Sequence, residues 1–254
     1  MRLKVPARLA ANCAKTPDRT AWLERLPEVI EELRLRWELD LGSPFDGQEV
    51  SAAWVAPARR RDGTSAVLKV SMPHFEADHE AAGLRFWDGD PTVRLLHADE
   101  GLGALLLERC NPGTWLRTVP VEEQDLTLAD LLPAMWRRPD ERLGFLSLYA
   151  MIELWVEETR QNEEHWPDPT LVREGLVMFE ALAADDSEVG VLLGTDVHAG
   201  NVLRAERSPW LVIDPKPFVG DPAYDATQHL LNCEGRMREA ALPTIQRFAG
   251  LLDV

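Results

Sequence analysis

The spacing of apolar and polar residues changes several times along the chain, and each change marks an element. From about Thr20 to Leu39, Trp22, Leu26, Ile30, Leu33 and Trp37 recur at helical spacing between charged positions, which predicts an amphipathic helix. LGSPFDGQ (41–48) is rich in turn formers, and SAAWVAPA (51–58) after it reads as a strand. Arg59 to Gly63 is polar and ends in Asp62-Gly63, a pair that accepts the positive φ of a tight hairpin, so TSAVLKVS (64–71) is the expected returning strand. Helical period resumes from Phe75 to Trp87, with Phe75, His79, Ala82 and Phe86 on one stripe and Glu76 and Glu80 beside it, until Asp88-Gly89-Asp90-Pro91 stops it. TVRLLHAD (92–99) and GALLLERC (103–110) predict a second hairpin. Beyond the turn at Asn111-Pro112-Gly113 the pattern is mostly helical, over Leu126–Trp136, Leu143–Glu158 and Leu171–Ala184. One later stretch, NVLRAERSPWLVID (201–214), reads as two strands joined by a polar turn.

This order predicts an α+β chain: a first part, 1–110, of antiparallel sheet plus helix, and a larger, mainly helical part, 111–254. With 254 residues and 45% hydrophobic content it can build a proper core. Charge narrows the partners. Against 27 Lys and Arg stand 43 Asp and Glu, a formal net charge of -16, so a nucleic-acid backbone is repelled and a cationic small molecule attracted. Cys13, Cys110 and Cys233 offer neither a CxxC pair nor a disulfide framework, which fits a reducing compartment. The basic N-terminus lacks the apolar run of a secretory signal, and nothing approaches the roughly 20 apolar residues of a membrane span. A cytoplasmic protein, monomeric or homodimeric, with no membrane or nucleic-acid partner, is the expectation.

The chemistry crowds into Leu193–Pro215, LGTDVHAGNVLRAERSPWLVIDP. Asn201 follows Asp196 by five residues and Asp214 follows Asn201 by thirteen. A catalytic loop of the form D-x-x-x-x-N, then a hairpin with an Asp at its far end, is an arrangement that phosphoryl transfer uses. The moving phosphoryl group carries dispersed negative charge. Mg²⁺ neutralises it and prefers hard oxygen ligands, here the Asp214 carboxylate and the Asn201 amide. The attacking hydroxyl needs a carboxylate to orient it and take its proton, and Asp196 is placed for that.

The phrases Thr195-Asp196-Val197-His198-Ala199-Gly200-Asn201, Ile213-Asp214-Pro215-Lys216-Pro217 and Val219-Gly220-Asp221-Pro222-Ala223-Tyr224-Asp225 resemble the aminoglycoside phosphotransferase family, in its branch of streptomycin 6-kinase-like and hydroxyurea phosphotransferase-like enzymes. The resemblance runs from about Leu41 to Asn232. It implies a bilobal protein-kinase-like fold and ATP-dependent transfer to a hydroxyl of a small polar, cationic molecule, with ATP and Mg²⁺ as cofactors. It implies that Lys69, in VLKV, contacts the nucleotide phosphates with Glu80 as its ion-pair partner and Glu76 as the fallback. It also implies that backbone groups near Glu108 and Cys110, in GALLLERCNPG, bind adenine. Where the commoner family form has His-Gly before the catalytic Asp, this chain has Gly194-Thr195, so whatever that histidine does for the loop must be done otherwise. The chain also ends soon after Asp225, where the resemblance leads one to expect further helices on the acceptor side.

Other features are weaker. Gly42, Ser43 and Gly47 allow a turn with free N–H groups over phosphates, but neither G-x-G-x-x-G nor a Walker-A pattern is present. His198 is expected to brace the loop, and Asp221 and Asp225 to support it by accepting backbone hydrogen bonds. His74, His79 and His97 lack zinc spacing. Glu153, Glu157, Glu158, Glu163, Glu164 and Asp168 read first as a solvated face and second as an acceptor-binding one, with Trp155 and Trp166 as candidate pocket walls. No D-F-G or A-P-E is present, which disfavours a protein kinase. The rival from another class is a degenerate kinase-like protein that binds nucleotide without turnover.

Overall fold

The computed structural model describes residues 3–47, 51–75, 79–183 and 190–253, with backbone only at 182 and 183. It divides into two compact units, 1–127 with 199–215 and 128–198 with 216–254, so the hairpin read at 201–214 belongs with the sheet.

The first unit opens with α1 (Ala7–Cys13) and α2 (Pro17–Arg36). α2 is started by the Thr16 hydroxyl, which accepts from Arg19 N, and by Pro at its first position. The sheet follows as β1 (Leu39–Leu41), β2 (Ala53–Arg60), β3 (Ser65–Ser71), β4 (Leu95–Asp99) and β5 (Ala104–Glu108), in the order β1-β2-β3-β5-β4 with every pairing antiparallel. Both expected hairpins are present. The period of two then sorts the faces. Ala66, Leu68 and Val70 of β3, with Ala104 and Leu106 of β5, pack on Leu26, Ile30 and Leu33 of α2 and on Leu9 and Cys13 of α1. Val67, Leu105 and Leu107 face the other way, onto Ala81 and Leu84 of α3 (Glu80–Trp87). Lys69, one step from Leu68 and Val70, therefore points toward α3. α3 is shorter than the Phe75–Trp87 expected, since His79 is its N-cap and residues 76–78 lie outside the described residues.

In the second unit the expected helices are present with shifted ends. α4 (Val121–Met135) begins earlier than Leu126 and straddles the division between units. α5 (Leu148–Gln161) begins later than Leu143: Gly144 stands at φ 67, and the Ser147 hydroxyl accepts from Ala150 N to start the helix. α6 (Pro169–Ala183) is capped by Asp168, whose Oδ1 accepts from Thr170 N and Leu171 N; the expected end, Ala184, lies outside the described residues. Three short strands went unread: β1 of the first unit, where α2 was expected to run on to Leu39 but ends at Arg36, and here β6 (Val191–Leu193), which pairs antiparallel with β9 (Phe218–Gly220). Between them in sequence, β7 (Val202–Arg204) and β8 (Trp210–Val212) are the expected hairpin of the first unit. α7 (Ala223–Leu231) and α8 (Glu234–Leu252) complete the chain, packed together through His229 and Phe248, with α8 broken at Ala240 shortly before Pro243. Among the described residues no helix is long and apolar enough to cross a membrane.

Candidate active site

In the first unit one ammonium group holds two carboxylates. Lys69 Nζ lies 2.7 and 2.6 Å from the two oxygens of Glu80 and 2.5 Å from Asp214 Oδ1. Lys69 and Glu80 are buried, at 7% and 1% exposure, whereas the Asp214 side chain is 37% exposed. Burying an ammonium beside a carboxylate is tolerable only because each satisfies the other. The pairing thus fixes Lys69 in direction as well as depth. Glu80 is the partner that the sequence favoured; Glu76 lies outside the described residues.

Asp214 and Asn201 flank the open end of the β7–β8 hairpin. Val202 is paired with Val212, and Ile213 N donates to Asn201 O at 2.8 Å, so Asn201 stands opposite Ile213, the residue just before Asp214. Asp214 adopts φ 55, a left-handed conformation rare outside glycine and common where a side chain must be aimed. The donors suit Mg²⁺, which takes few protein ligands and keeps the rest of its shell for phosphate oxygens and water. They are the partly exposed Asp214 carboxylate and an amide, and Lys69, Glu80 and Asp214 together carry one negative charge in excess. Among the described residues no three His, Cys, Asp or Glu side chains gather as a metal site.

Glu108 ends β5 and Cys110 lies two residues on, in the segment that the sequence reading expects to serve as the hinge receiving adenine. The Cys110 thiol is pushed up to about 12, first by burial and then by the Glu108 charge, so it stays protonated and inert. Glu108 does more than its backbone. Its carboxylate accepts from Arg207 and from Arg94 N. Burial raises its pKa, but the Arg207 hydrogen bonds, the Arg94 N–H and their charges outweigh that and hold the carboxyl below its usual range. Sequence reasoning treated side-chain identity here as unimportant; an ion pair between residues 99 apart has no local signal. The phosphate-covering turn is also corrected in part. Gly42 N donates to Pro57 O at 2.8 Å and Phe45 N to Val55 O at 2.9 Å, so both extend the β1–β2 edge, and residues 48–50 lie outside the described residues. A Cβ on Gly42 would meet Pro57 Cγ at 2.8 Å, which explains the glycine by packing.

In the second unit Asp196 sits on a turn closed by its own N–H, donating to Gly194 O at 2.7 Å. Thr195 is held at φ 44, with its hydroxyl donating to Lys216 O at 2.7 Å. Beneath the turn lies Asp225, fully buried. Its Oδ1 accepts from Thr195 N at 2.7 Å and its Oδ2 from Gly194 N and Trp136 Nε1, each at 3.0 Å. These contacts fix the turn from one side chain. Asp221 instead accepts from Ala223 N, at the start of α7. With only neutral donors against it, Asp225 is pushed up to about 6 by burial, which the three hydrogen bonds partly oppose. Packing favours glycine at 194, because a Cβ there would lie 2.3 Å from Val197 Cγ2 and 3.0 Å from Met135 Cε. His198 Nε2 lies 3.6 Å from Asp196 Oδ1, too long for a hydrogen bond.

The acidic face is largely engaged locally. Glu163 pairs with Arg173, Glu157 accepts from Gln161, and Asp168 caps α6. Trp166 donates to Thr159 O under the Arg173 guanidinium, while Trp155 is 38% exposed. His97 stacks on Trp37.

A five-stranded antiparallel sheet with a helix-borne carboxylate paired to a strand lysine, joined to a helical unit with a braced Asp turn, defines a small-molecule kinase of the protein-kinase-like fold. Solved structures share it: choline kinase LicA from Streptococcus pneumoniae superposes with a TM-score of 0.64 at 14% identity, over 90% of this chain and 80% of that one. Macrolide 2'-phosphotransferase MphH from Brachybacterium faecium gives 0.56 at 19% identity, over 87% and 83%. Residues 36–251 match the family model of the aminoglycoside/hydroxyurea antibiotic resistance kinases, and the chain belongs to that family. It is 38% identical over 228 residues to a streptomycin 6-kinase of Streptomyces glaucescens, covering 88% of this chain and 73% of that protein. It is 35% identical over 216 residues to a hydroxyurea phosphotransferase of Kitasatospora aureofaciens, covering 83% and 62%.

Proposed function

We propose that the protein transfers the γ-phosphoryl group of ATP to a hydroxyl of a small, polar, cationic acceptor of the aminoglycoside class, with residues 1–110 serving nucleotide binding and 111–254 catalysis and acceptor binding. The observation that carries this reading is Lys69 held by Glu80 and Asp214 at 2.5 to 2.7 Å, a geometry that presents an ammonium group to phosphate oxygens. Lys69 binds the α- and β-phosphates, and Glu80 keeps it aimed. Asn201 and Asp214 hold Mg²⁺, which supplies charge neutralisation on the phosphates when bound. Backbone groups near Glu108 and Cys110 receive adenine. Asp196, on a turn that Asp225 fixes, orients the acceptor hydroxyl and accepts its proton. The acidic balance of the chain, -16, favours a cationic acceptor, and names among the relatives point to streptomycin and hydroxyurea as first trials. The protein is proposed to act in the cytoplasm, as a monomer or homodimer.

The test is ADP release from Mg²⁺ATP against aminoglycosides, hydroxyurea and small polyols, in wild type and Asp196→Ala. Acceptor-dependent release that vanishes in the variant, with nucleotide binding retained, is the expected result. An unchanged rate in Asp196→Ala defeats the assignment of the base, and binding without turnover in wild type favours the degenerate-kinase alternative.

A further inference from the structure

The closed end of the β7–β8 hairpin carries a contact that the proposed chemistry leaves unused. Arg207, in the turn between the strands, donates from Nε to Glu108 Oε1 at 3.0 Å, from Nη2 to Glu108 Oε2 at 2.9 Å and from Nη2 to Thr92 O at 3.1 Å. Glu108 Oε2 also accepts from Arg94 N at 3.0 Å, and Glu108 N donates to Arg94 O at 2.9 Å. One guanidinium group therefore ties the hairpin to the end of β5 and to the segment entering β4. The two side chains are 27% and 21% exposed, sheltered enough for a forked Arg–carboxylate pair to fix geometry. Gly89, at φ 80, makes room, since a Cβ there would meet Arg94 Cγ at 2.5 Å and Arg207 Nη2 at 3.4 Å. The rest of the hairpin is sewn to its neighbours by one further side-chain bond, Asn111 Nδ2 to Glu206 Oε1 at 2.6 Å, and by backbone: Gly113 N to Arg204 O, Arg204 N to Thr114 O, Val212 N to Pro91 O and Val93 N to Val212 O.

We infer that Arg207 is a positioning residue that locks the hairpin to the hinge, so that the residues receiving adenine and the pair holding metal move as one piece. This rests on the phosphotransfer reading above. Asn201 and Asp214 leave the hairpin at its open end, three residues from the turn side of β7, or roughly 10 Å at the rise of a strand. A tilt released at Arg207 is delivered at Asp214, and with it to the ion pair with Lys69. Lysine is only a partial substitute here, because the contacts to Glu108 and to the Thr92 carbonyl are spread over two nitrogens of a planar fork, Nε and Nη2, which a single ammonium nitrogen does not reproduce.

Two readouts test it. Hydrogen exchange at the Arg204, Val212 and Ile213 amides, without ligand, should quicken roughly tenfold in Arg207→Met and Glu108→Gln, the scale of coupling between directly bonded side chains. It should not change in Arg61→Met, which breaks the exposed Arg61–Glu38 pair of the same unit. Second, Arg207→Met should need roughly tenfold more Mg²⁺ to tighten binding of a fluorescent ATP analogue, again the scale of such couplings, while metal-free affinity is kept. Arg207→Lys should fall between, and it replaces Arg207→Met if that variant fails to fold. Unchanged exchange, or metal-free and metal-dependent affinity falling together, overturns the inference. A wild type that ignores both nucleotide and Mg²⁺ defeats the phosphotransfer reading instead, and the exchange arm still decides whether the lock exists.

Discussion

Each unit buries a carboxylate almost completely, and each satisfies it differently. Glu80, 1% exposed, meets the Lys69 ammonium; Asp225, at 0%, meets two backbone N–H groups and an indole. The first solution matches charge with charge, and it aims a lysine that can bind phosphate. The second spends neutral donors on an ion, so the group stands close to protonation, at about 6, but it holds three separate pieces of chain with one side chain. Charge pairing suits a residue that must present a cation, and backbone bracing suits a turn that must not move. Asp214 and Thr195, at φ 55 and 44, are the strained residues that the two arrangements hold in place.

The sharpest way to break the comparison is to remove the cation. Lys69→Met leaves Glu80 buried and uncompensated, and the cost is expected at about 3–5 kcal/mol, with turnover lost. Adding Glu80→Gln to it should restore much of the stability and none of the activity. Chemical denaturation alongside ADP release checks both halves; a single variant as stable as wild type would mean that the pair aims Lys69 without contributing to the fold.

Asp225 should instead reveal itself by pH. Its folded pKa is raised, from 3.8 to about 6, so its contribution to stability is fully present below 3.8 and is lost as pH rises through about 6. Relative to Asp225→Asn, wild type should therefore lose ~2 kcal/mol between pH 4 and pH 7. Denaturation series of both proteins across that range measure it. A difference that is flat in pH would show that the three donors hold the ion as well as a salt bridge does.

Local pattern made the first unit legible and hid much of the second. The period of two in TSAVLKVS, with Asp62-Gly63 before it, located β3 and put Lys69 on the face opposite Leu68 and Val70; helical spacing then carried Glu80 toward it. The family resemblance placed Asp196, Asn201 and Asp214 in order. β6 and β9 escaped where the equally short β7 and β8 did not, because their pairing, Leu193 with Phe218, joins distant segments with no local turn between them to mark a hairpin. The same holds for Trp136 on Asp225 and Arg207 on Glu108, contacts that only the folded chain creates. The start of α5 was misjudged because Leu143 and Leu146 continue an apolar pattern that Gly144 and Ser147 interrupt by conformation and capping.

The smallest expected effect is the most local. Gly194→Ala would place a Cβ 2.3 Å from Val197 Cγ2 and 3.0 Å from Met135 Cε, and both neighbours are fully buried. Relief must come from the turn, because the side chains have nowhere to go. Overpacking of this kind costs about 1–3 kcal/mol. The turn that moves is the one carrying Asp196, and Gly194 N is one of its two backbone ties to Asp225. Turnover should therefore fall further than stability alone accounts for, with nucleotide affinity preserved. Val197→Ala removes the closest methyl group, so the double variant should recover activity together with stability. Recovery of stability alone would show that the glycine is needed for the Asp225 hydrogen bond itself, and that the brace, rather than the packing around it, sets the position of Asp196, the proposed base.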